Sequence, residues 1–80
     1  MSYAYILKSQ KTGRYYYGAS DDLDERIKYH NAGKVRSTKH GRPWVVHYFE
    51  TFPDMESAFH REQFFKSVEG YRFLKDQKIT

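Results

Sequence analysis

Cysteine is absent from this 80-residue chain, which excludes a disulfide framework and any metal site built on thiolates. The sequence also lacks internal repeats and low-complexity segments. No apolar run approaches the roughly 18 residues that span a membrane, and the N-terminus lacks the charged region and apolar stretch of a signal peptide. We therefore expect a cytoplasmic protein that does not associate with membranes.

The chain is too short for several domains, so we expect residues 1–80 to form a single one. A domain of this size buries roughly 60% of the surface of its unfolded chain, which leaves a thin margin of stability. Aromatic residues make up 19% of the sequence and must supply much of the core. Nothing in the pattern indicates self-association, and a monomer is the default expectation.

The first half of the chain predicts a β-hairpin followed by a helix. Residues 3–8 and 14–20 are short, aromatic and β-prone, and the turn between them, Ser9–Gly13, ends in glycine. A helix is predicted over Asp21–Asn31, because carboxylates at its start cap free N–H groups and oppose the positive end of the helix dipole. Gly33 is a suitable stop for this helix.

The second half predicts one strand and one main helix. Trp44–Phe52 is rich in β-branched and aromatic residues and reads as a third strand. Asp54 can cap a helix over Met55–Val68, which Gly70 interrupts, and residues 71–78 can add one or two helical turns. The order β-β-α-β-α predicts an α+β fold with a small three-stranded antiparallel sheet flanked by helices.

One stretch, Gly33–Pro43, carries cations and no acid in a chain whose net charge is +4. Its glycines, serine and threonine predict a mobile loop, which can be a merely solvated segment. The functional alternative is an arm that contacts phosphates, because Lys and Arg neutralise backbone charge without reading sequence. The four candidate phosphate contacts are Lys34, Arg36, Lys39 and Arg42.

Polar residues interrupt the apolar faces of both predicted helices. On the first helix Leu23 and Ile27 define the inward stripe, and Arg26 and His30 lie on one flank of it at 100° per residue. On the second helix Glu62 falls on the predicted inward face, where a lone carboxylate is costly unless it is paired or binds a cation. The predicted apolar members of that face are Met55, Ala58, Phe59 and Phe65.

These polar residues also have purely structural interpretations, which the residues alone leave open. Tyrosines in the two hairpin strands can be half-buried aromatics with solvated hydroxyls. Arg26 can pair with Asp22 one turn earlier, and Glu62 with Lys66 one turn later. His30 can be a partly exposed histidine that the C-terminal end of the helix dipole favours.

Taken in order, the pattern resembles the GIY-YIG nuclease domain, and specifically the small stand-alone UPF0213-like members of that superfamily. The first motif reads Tyr3-Ala4-Tyr5 where the family has Gly-Ile-Tyr, and the second reads Tyr16-Tyr17-Gly18. Eleven positions separate Tyr5 from Tyr16, and ten separate Tyr16 from Arg26. The resemblance covers nearly the whole chain, residues 3–70.

The resemblance implies a role for each matching residue. Tyr5 would be the general base for water, which requires nearby positive charge to lower its pKa from about 10. Tyr16 would position the water or the phosphate, and Arg26 would hold the scissile phosphate. His30 would be an accessory phosphate contact or proton relay. Glu62 would be the sole protein ligand of one Mg²⁺ or Mn²⁺ ion, which keeps several waters.

Three details of the motifs either depart from the family pattern or stay open in the sequence. Ala19 stands where some family members carry a lysine. Tyr15, Tyr16 and Tyr17 are consecutive, and a slip of one residue would place a side chain on the other face of the sheet. Gly18 can be an ordinary strand glycine that permits a bulge or a close approach.

The leading hypothesis is a Mg²⁺-dependent endonuclease acting on DNA, with structured or damaged DNA among its substrates. The alternative is a nucleic-acid-binding module of the same fold that is catalytically weak or inactive. A third interpretation is an interaction domain for an acidic protein. Glu62 separates the first two, because a binding module has little need for a metal-ligand carboxylate on an apolar helix face.

Overall fold

The computed structural model describes all 80 residues. Three antiparallel strands, β1 (Ser2–Ser9), β2 (Tyr15–Ser20) and β3 (Trp44–Phe52), form one sheet in the order β2-β1-β3. The predicted hairpin and third strand are confirmed. Because β1 is central, its middle residues 4–7 are at most 1% exposed, whereas β2 and β3 are edge strands.

Helix α1 spans Leu23–Asn31 and begins two residues later than predicted. The cap is Asp22, whose carboxylate accepts from the Glu25 backbone N–H at 3.0 Å, so Asp21 lies outside the helix. The chain leaves the helix at Gly33, whose φ of +78° suits a glycine at a helix end.

Two helices, α2 (Met55–Phe65) and α3 (Val68–Asp76), stand where a helix over Met55–Val68 and further helical turns over residues 71–78 were predicted. The predicted break at Gly70 is wrong. The chain breaks at Ser67 instead, whose hydroxyl caps α3 by accepting from the Gly70 N–H at 3.0 Å. Gly70 therefore lies inside α3 and serves helix packing: an added Cβ would stand 1.7 Å from the Phe64 carbonyl oxygen. The element order is β-β-α-β-α-α in an α+β fold.

The helices cover opposite faces of the sheet. Side chains of β1 alternate, so Tyr5 and Leu7 point to one face while Ala4 and Ile6 point to the other. Helix α1 packs on the first face, which we call the α1 face; its buried cluster is Tyr5, Leu7, Leu23 and Trp44. Helices α2 and α3 cover the second, the α2–α3 face; its buried cluster is Ala4, Ile6, Phe65 and Leu74.

The predicted inward face of α2 is correct for two apolar residues and wrong for two. Ala58 and Phe65 are buried, but Met55 is 41% and Phe59 49% exposed. Ala58, Glu62 and Phe65 follow the i, i+4, i+7 spacing of one helical stripe. Phe59 lies 100° from Ala58 and turns toward solvent, and Met55 sits in the first turn of α2.

The segment between α1 and β3 is not the unstructured loop that its composition predicts. It contains a short 3₁₀ turn, Lys39–Gly41, and its Thr38 is 1% exposed. The Trp44 indole N–H donates to the Thr38 carbonyl at 2.7 Å, and the Ser9 hydroxyl donates to the Gly41 carbonyl at 2.5 Å. The middle of the segment is therefore anchored to the sheet.

None of the three helices combines the length and the apolar character that a membrane crossing requires.

Candidate active site

Tyr5, the first catalytic candidate, belongs to the central strand β1, and its side chain crosses over the edge strand β2. Tyr5 is paired with Gly18 in the antiparallel register of β1 and β2. A Cβ at Gly18 would stand 2.4 Å from both Cζ and the hydroxyl of Tyr5, so the phenol passes directly over this glycine. The close-approach interpretation of Gly18 therefore describes the structure, and the missing side chain lets the Tyr5 hydroxyl extend over β2.

Of the three consecutive tyrosines, Tyr16 shares the α1 face with Tyr5. Its ring centroid lies 5.0 Å from that of His30 and 6.4 Å from that of Trp44. Tyr15 and Tyr17 pack against the cluster on the α2–α3 face. The strict alternation of a strand thus separates the three side chains.

His30 is fully buried, at 0% exposure, and not partly exposed at the helix end. Its Nε2 lies 3.1 Å from the Tyr5 hydroxyl, and its Nδ1 lies 2.8 Å from Oγ1 of Thr38. Burial, assisted by the positive charge of Arg26, lowers the pKa of His30 to about 4. The imidazole is therefore neutral at pH 7, with both nitrogens engaged.

Arg26 reaches the same region from α1 without a carboxylate partner. The two salt bridges of the protein join Arg61 to Glu50 and Lys66 to Glu62, so the predicted pairing of Arg26 with Asp22 does not form. Its guanidinium carbon lies 5.2 Å from the centroid of the Tyr29 ring. The positive charge of Arg26 opposes a rise in the pKa of Tyr5 and helps to lower the pKa of His30.

The protonation of Tyr5 is set by opposing influences. Burial raises the pKa of its hydroxyl, and the Arg26 guanidinium opposes this rise. The negative charge of Glu62 raises the Tyr5 pKa further, and the net shift is upward. The hydroxyl is therefore neutral in the free protein, and acting as a base requires an acceptor for its proton or additional positive charge.

Glu62 lies on α2, which covers the other face of the sheet, and its negative charge is one of the influences that raise the pKa of Tyr5. Its side chain is only 12% exposed. Lys66 Nζ lies 2.5 Å from the carboxylate, so the predicted structural pairing of these two residues is present. Lys66 itself is 48% exposed, whereas the carboxylate that it contacts is largely buried.

The side chain of Glu62 suits one kind of metal ion. No cluster of three or more His, Cys, Asp or Glu side chains that could hold a metal ion occurs in the structure. Glu62 supplies hard carboxylate oxygens on a largely buried side chain. A single carboxylate fits Mg²⁺, which dehydrates reluctantly and keeps several waters. The residues present therefore fit Mg²⁺ or Mn²⁺ with Glu62 as the one protein ligand.

The structure assembles a basic cleft, which extends the predicted phosphate arm. One open cavity of about 370 Å³ is lined by residues that include Lys11, Lys39, His40 and Arg42, with no acid among them. A second cavity of about 590 Å³ also contains His40 and runs past Arg14 to Tyr16. We call Lys11, Arg14, Lys39, His40 and Arg42 the basic cleft.

The two walls of the basic cleft come from segments distant in sequence. The Gln10 N–H donates to the Pro43 carbonyl at 2.9 Å, which holds the β1–β2 turn against the segment before β3. We did not predict Lys11 and Arg14 as phosphate contacts from the sequence. The turn Ser9–Gly13, which contains no acid and is followed by Arg14, was an indication of a basic surface. Of the predicted phosphate contacts, Lys34 and Arg36 are exposed and line neither cavity.

Tyr5, Tyr16, Arg26 and His30 thus lie together on the α1 face of a small sheet, beside a basic cleft, and Glu62 lies on the helix that covers the other face. Such a set is typical of domains that cleave phosphodiesters, because it combines groups that can move protons, an unpaired cation and a carboxylate. The comparison with family models agrees: the GIY-YIG catalytic domain matches residues 1–73. The chain belongs to the GIY-YIG family of nuclease domains.

Individual relatives fall into two groups. A UPF0213 protein of Staphylococcus haemolyticus is 38% identical over 74 residues, which are 91% of this chain and 89% of that protein. The structure-specific endonuclease subunit slx1 of Schizosaccharomyces pombe is 35% identical over 79 residues. That match takes in 90% of this chain but only 29% of the yeast protein, so the chain corresponds to less than a third of it.

A solved structure shows the same fold. The solution NMR structure of a UPF0213 protein from Bacillus halodurans superimposes with a TM-score of 0.54 at 34% sequence identity. The match covers 98% of this chain and 86% of that one. The predicted α+β fold and the predicted family are both confirmed.

Proposed function

We propose that the protein is a divalent-metal-dependent endonuclease that hydrolyses phosphodiester bonds in DNA, with structured DNA among its substrates. One observation carries the proposal. The Tyr5 hydroxyl lies 3.1 Å from Nε2 of the neutral, buried His30. Arg26, which forms no salt bridge with a carboxylate, influences the pKa of both groups. The similarity to the yeast relative, a structure-specific endonuclease subunit, supports the choice of substrate.

Tyr5 and His30 together move the proton of the attacking water. Neither group is ionised in the free protein, because burial disfavours the charged form of each. In the proposed relay the phenol oxygen takes a proton from water while the phenol proton passes to Nε2 of His30. The water oxygen bonds to phosphorus as the bond from phosphorus to the leaving oxygen breaks. The proton that left Tyr5 is held on the His30 imidazolium, and the leaving oxygen takes up a proton from solvent. Positioned proton transfer of this kind contributes about 10²–10⁴-fold to a rate.

Arg26 offsets the negative charge that grows on the phosphate oxygens. A guanidinium is planar, always charged and presents several donors, which suits a phosphate. Because no carboxylate occupies Arg26, no existing ion pair has to break when a phosphate arrives. Binding a phosphate also reduces the effect of Arg26 on His30, which makes His30 a better proton acceptor.

Glu62 holds the metal ion in this proposal. Mg²⁺ bound there would supply the positive charge that stabilises the leaving oxygen and opposes the effect of Glu62 on Tyr5. Lys66, which pairs with Glu62 in the free protein, turns toward solvent in the metal-bound form.

The basic cleft holds the DNA strand beside the reacting phosphate. Arg14 and Tyr16 line the same cavity, so the cleft leads to the tyrosine that flanks His30. Lys and Arg contacts to phosphates carry no sequence information. We therefore propose binding that is weak, sensitive to salt and poorly sequence-specific.

The test is a cleavage assay with Mg²⁺ on branched, mismatched and single-stranded DNA, comparing the wild type with Glu62→Gln. We expect cleavage by the wild type and none by Glu62→Gln, with the fold and DNA binding of the variant intact. Titration with Mn²⁺ should broaden NMR resonances near Glu62 in the wild type alone. Cleavage by Glu62→Gln at the wild-type rate would overturn the metal assignment.

Glu50→Gln is the matched control, because Glu50 also forms a salt bridge with a residue of α2 but lies with the α2–α3 face. Its carboxylate accepts from Arg61 at 2.7 and 3.2 Å. We expect Glu50→Gln to lose stability and to keep metal-dependent cleavage. Equal losses of activity in both variants would indicate that α2 had simply been destabilised.

A second function, nucleic-acid binding with little or no cleavage, is favoured by two specific observations. The pKa of Tyr5 is raised by its burial, and Glu62 is already occupied by Lys66. A binding module predicts salt-dependent affinity for DNA, no cleavage on any substrate of the panel and no effect of Mn²⁺ at Glu62. These three results together would replace the nuclease proposal.

A further inference from the structure

The buried hydroxyl of Thr38 lies next to the proposed relay between Tyr5 and His30. Thr38 belongs to the basic segment before β3, yet only 1% of it is exposed. Its Oγ1 lies 2.8 Å from Nδ1 of His30 and 3.3 Å from the carbonyl oxygen of Val35. Thr38 therefore contacts the nitrogen of His30 that faces away from Tyr5.

The partners of Thr38 decide which way its hydrogen bonds run. The Val35 carbonyl can only accept, and in the structure the Thr38 hydroxyl donates to it at 3.3 Å, beside the Thr38 N–H at 3.1 Å. The lone pairs of Oγ1 are then available to accept from an N–H on Nδ1 of His30. A neutral imidazole with its proton on Nδ1 carries a lone pair on Nε2, the atom that faces the Tyr5 hydroxyl.

The hydrogen bonds available to Tyr5 are compatible with this tautomer. Arg26 can only donate, so where it approaches the phenol oxygen it takes a lone pair and leaves the phenol proton needing an acceptor. Nε2 of His30 is the acceptor within hydrogen-bond distance of that hydroxyl. Tyr16 packs edge-on against the His30 ring and offers no second bond to it, and Glu62 forms its hydrogen bond with Lys66.

We propose that Thr38 is a positioning residue, which fixes His30 in the tautomer with its proton on Nδ1 so that Nε2 accepts the Tyr5 proton. The directed chain runs from Tyr5 through His30 and Thr38 to the Val35 carbonyl. When water is activated, its O–H bond breaks as a new Tyr5 O–H bond forms. The original Tyr5 O–H bond breaks as an N–H bond forms at Nε2, and Thr38 then holds the Nδ1–H of the imidazolium.

The tautomer itself is a property of the free protein, whereas its effect on rate rests on the proposed function. The alternative is that Thr38 merely fills space below Trp44. A space-filling role predicts that a valine of the same shape replaces it without consequence for the imidazole. The hydroxyl, and not the shape, is therefore what the experiment has to isolate.

The first arm reads the tautomer directly. Long-range ¹H–¹⁵N correlation spectra of the full-length, metal-free protein at pH 7 distinguish a protonated Nδ1 from a protonated Nε2. We expect Nδ1–H in the wild type and in Thr38→Ser, and a mixture of tautomers in Thr38→Val. Ser37→Ala, which changes the exposed neighbouring hydroxyl, should leave the wild-type pattern unchanged. Nε2–H in the wild type, or pure Nδ1–H in Thr38→Val, overturns the proposal.

The second arm reads the rate. We expect Thr38→Val to lower kcat by about 10²-fold, within the usual range of a proton-transfer contribution, with KM nearly unchanged. Thr38→Ser should restore kcat to within a few-fold of the wild type. A kcat for Thr38→Val equal to that of the wild type refutes the positioning role. If Thr38→Val does not fold, the wild-type tautomer and the kinetics of Thr38→Ser still decide.

The tautomer spectra and the rate measurements distinguish a failure of the proposed nuclease function from a failure of the proposed role of Thr38. If the wild-type protein cleaves no substrate, the proposed function fails, but the spectra still report whether Thr38 sets the tautomer of His30. If it cleaves and the spectra show Nε2–H, the nuclease stands and the role of Thr38 is refuted.

Discussion

Each face of the sheet carries a cluster of four buried residues, but the arginines of the two faces have different partners. On the α2–α3 face Arg61 donates to Glu50 at 2.7 and 3.2 Å, and its guanidinium carbon lies 4.6 Å from the Phe64 ring and 4.8 Å from the Phe73 ring. On the α1 face Arg26 has no carboxylate partner. An arginine that is paired with a carboxylate stabilises the fold. An arginine without a carboxylate partner, beside a buried hydroxyl, is available to bind a ligand.

The tyrosines of the two faces show the same contrast. Burial and then the hydrogen bond to Glu50 raise the pKa of Tyr48 to about 12. Burial raises the pKa of Tyr5 too, but Arg26 opposes the shift. Tyr48 has a carboxylate as its partner, while Tyr5 has a neutral imidazole, which can accept a proton and become charged. The hydrogen-bond partner of the hydroxyl, and not the burial of the hydroxyl, distinguishes a structural tyrosine from a candidate base.

Removing the Tyr5 hydroxyl should produce the largest effect. We expect Tyr5→Phe and Arg26→Ala each to reduce the cleavage rate by about 10²–10³-fold or more, because each removes a transition-state interaction. The loss in the double variant should be well below the product of the single losses, since residues that act as one unit are not additive. Single-turnover rates and melting temperatures of the three variants provide the measurement.

Tyr48→Phe is the control for Tyr5→Phe, since it deletes a tyrosine hydroxyl on the other face. It should lower stability through the loss of the bond to Glu50 and leave the rate unchanged. An active, normally folded Tyr5→Phe protein would remove Tyr5 as the base. The structure would then direct attention to Tyr16, which shares its face.

Acid should destabilise the two faces in different pH ranges. The pKa of His30 is about 4 in the folded protein against 6.5 in the unfolded chain, so the unfolded state binds more protons between these values. Stability is therefore fully present above pH 6.5 and falls toward pH 4. The shift corresponds to an upper estimate of roughly 3 kcal/mol.

Glu50 responds at lower pH. Burial raises its pKa, but its hydrogen bonds to Arg61 and Tyr48 outweigh burial, and the net pKa is lowered. Its contribution is present above the unfolded pKa of 4.5 and is lost as pH falls through the folded pKa. Urea unfolding from pH 7 to 3 should show both losses in the wild type. In His30→Gln, the slope between pH 6.5 and 4 should flatten.

Two glycines allow a matched test of packing on the two faces. A Cβ at Gly18 would meet the Tyr5 ring, and a Cβ at Gly70 would meet the Phe64 carbonyl. Overpacking typically costs 1–3 kcal/mol, and Gly70→Ala should cost more than Gly18→Ala because backbone has less freedom to shift than a ring. Gly18→Ala should also reduce cleavage by displacing the Tyr5 hydroxyl. Chemical denaturation combined with rates measured well below the melting temperature separates the two effects.

The elements were largely predictable because their signals are local. Trp44–Phe52 has the bounds predicted from its β-branched and aromatic content. The spacing of Arg26 and His30 along α1 correctly placed both beside its inward stripe. The break between α2 and α3 was misplaced because Ser67 and Gly70 are both breakers, and only helix packing shows that Gly70 is required inside α3.

The residues that surround the candidate site could not be predicted from the sequence, because their positions depend on contacts between segments that are distant along the chain. Thr38 carries no local signal, and its importance comes from a hydrogen bond to a residue eight positions away. Lys11 and Arg14 join the basic cleft only because the β1–β2 turn is held against the segment before β3. The catalytic and metal-binding roles of Tyr5, Arg26 and Glu62 stay predictions.

The smallest effect should distinguish the basic cleft from other basic surface. Each phosphate contact that is lost reduces the slope of log affinity against log salt by roughly 0.7–0.9. We therefore expect Lys11→Gln combined with Arg14→Gln to reduce the slope by about twice that amount, with the fold unchanged because both side chains are exposed or lie at a turn. Arg72→Gln combined with Lys75→Gln removes the same two charge types from α3 and should leave the slope unchanged. Fluorescence anisotropy with a labelled oligonucleotide over a salt series gives both slopes. Equal changes in the two double variants would show that net charge, and not the cleft, attracts the nucleic acid.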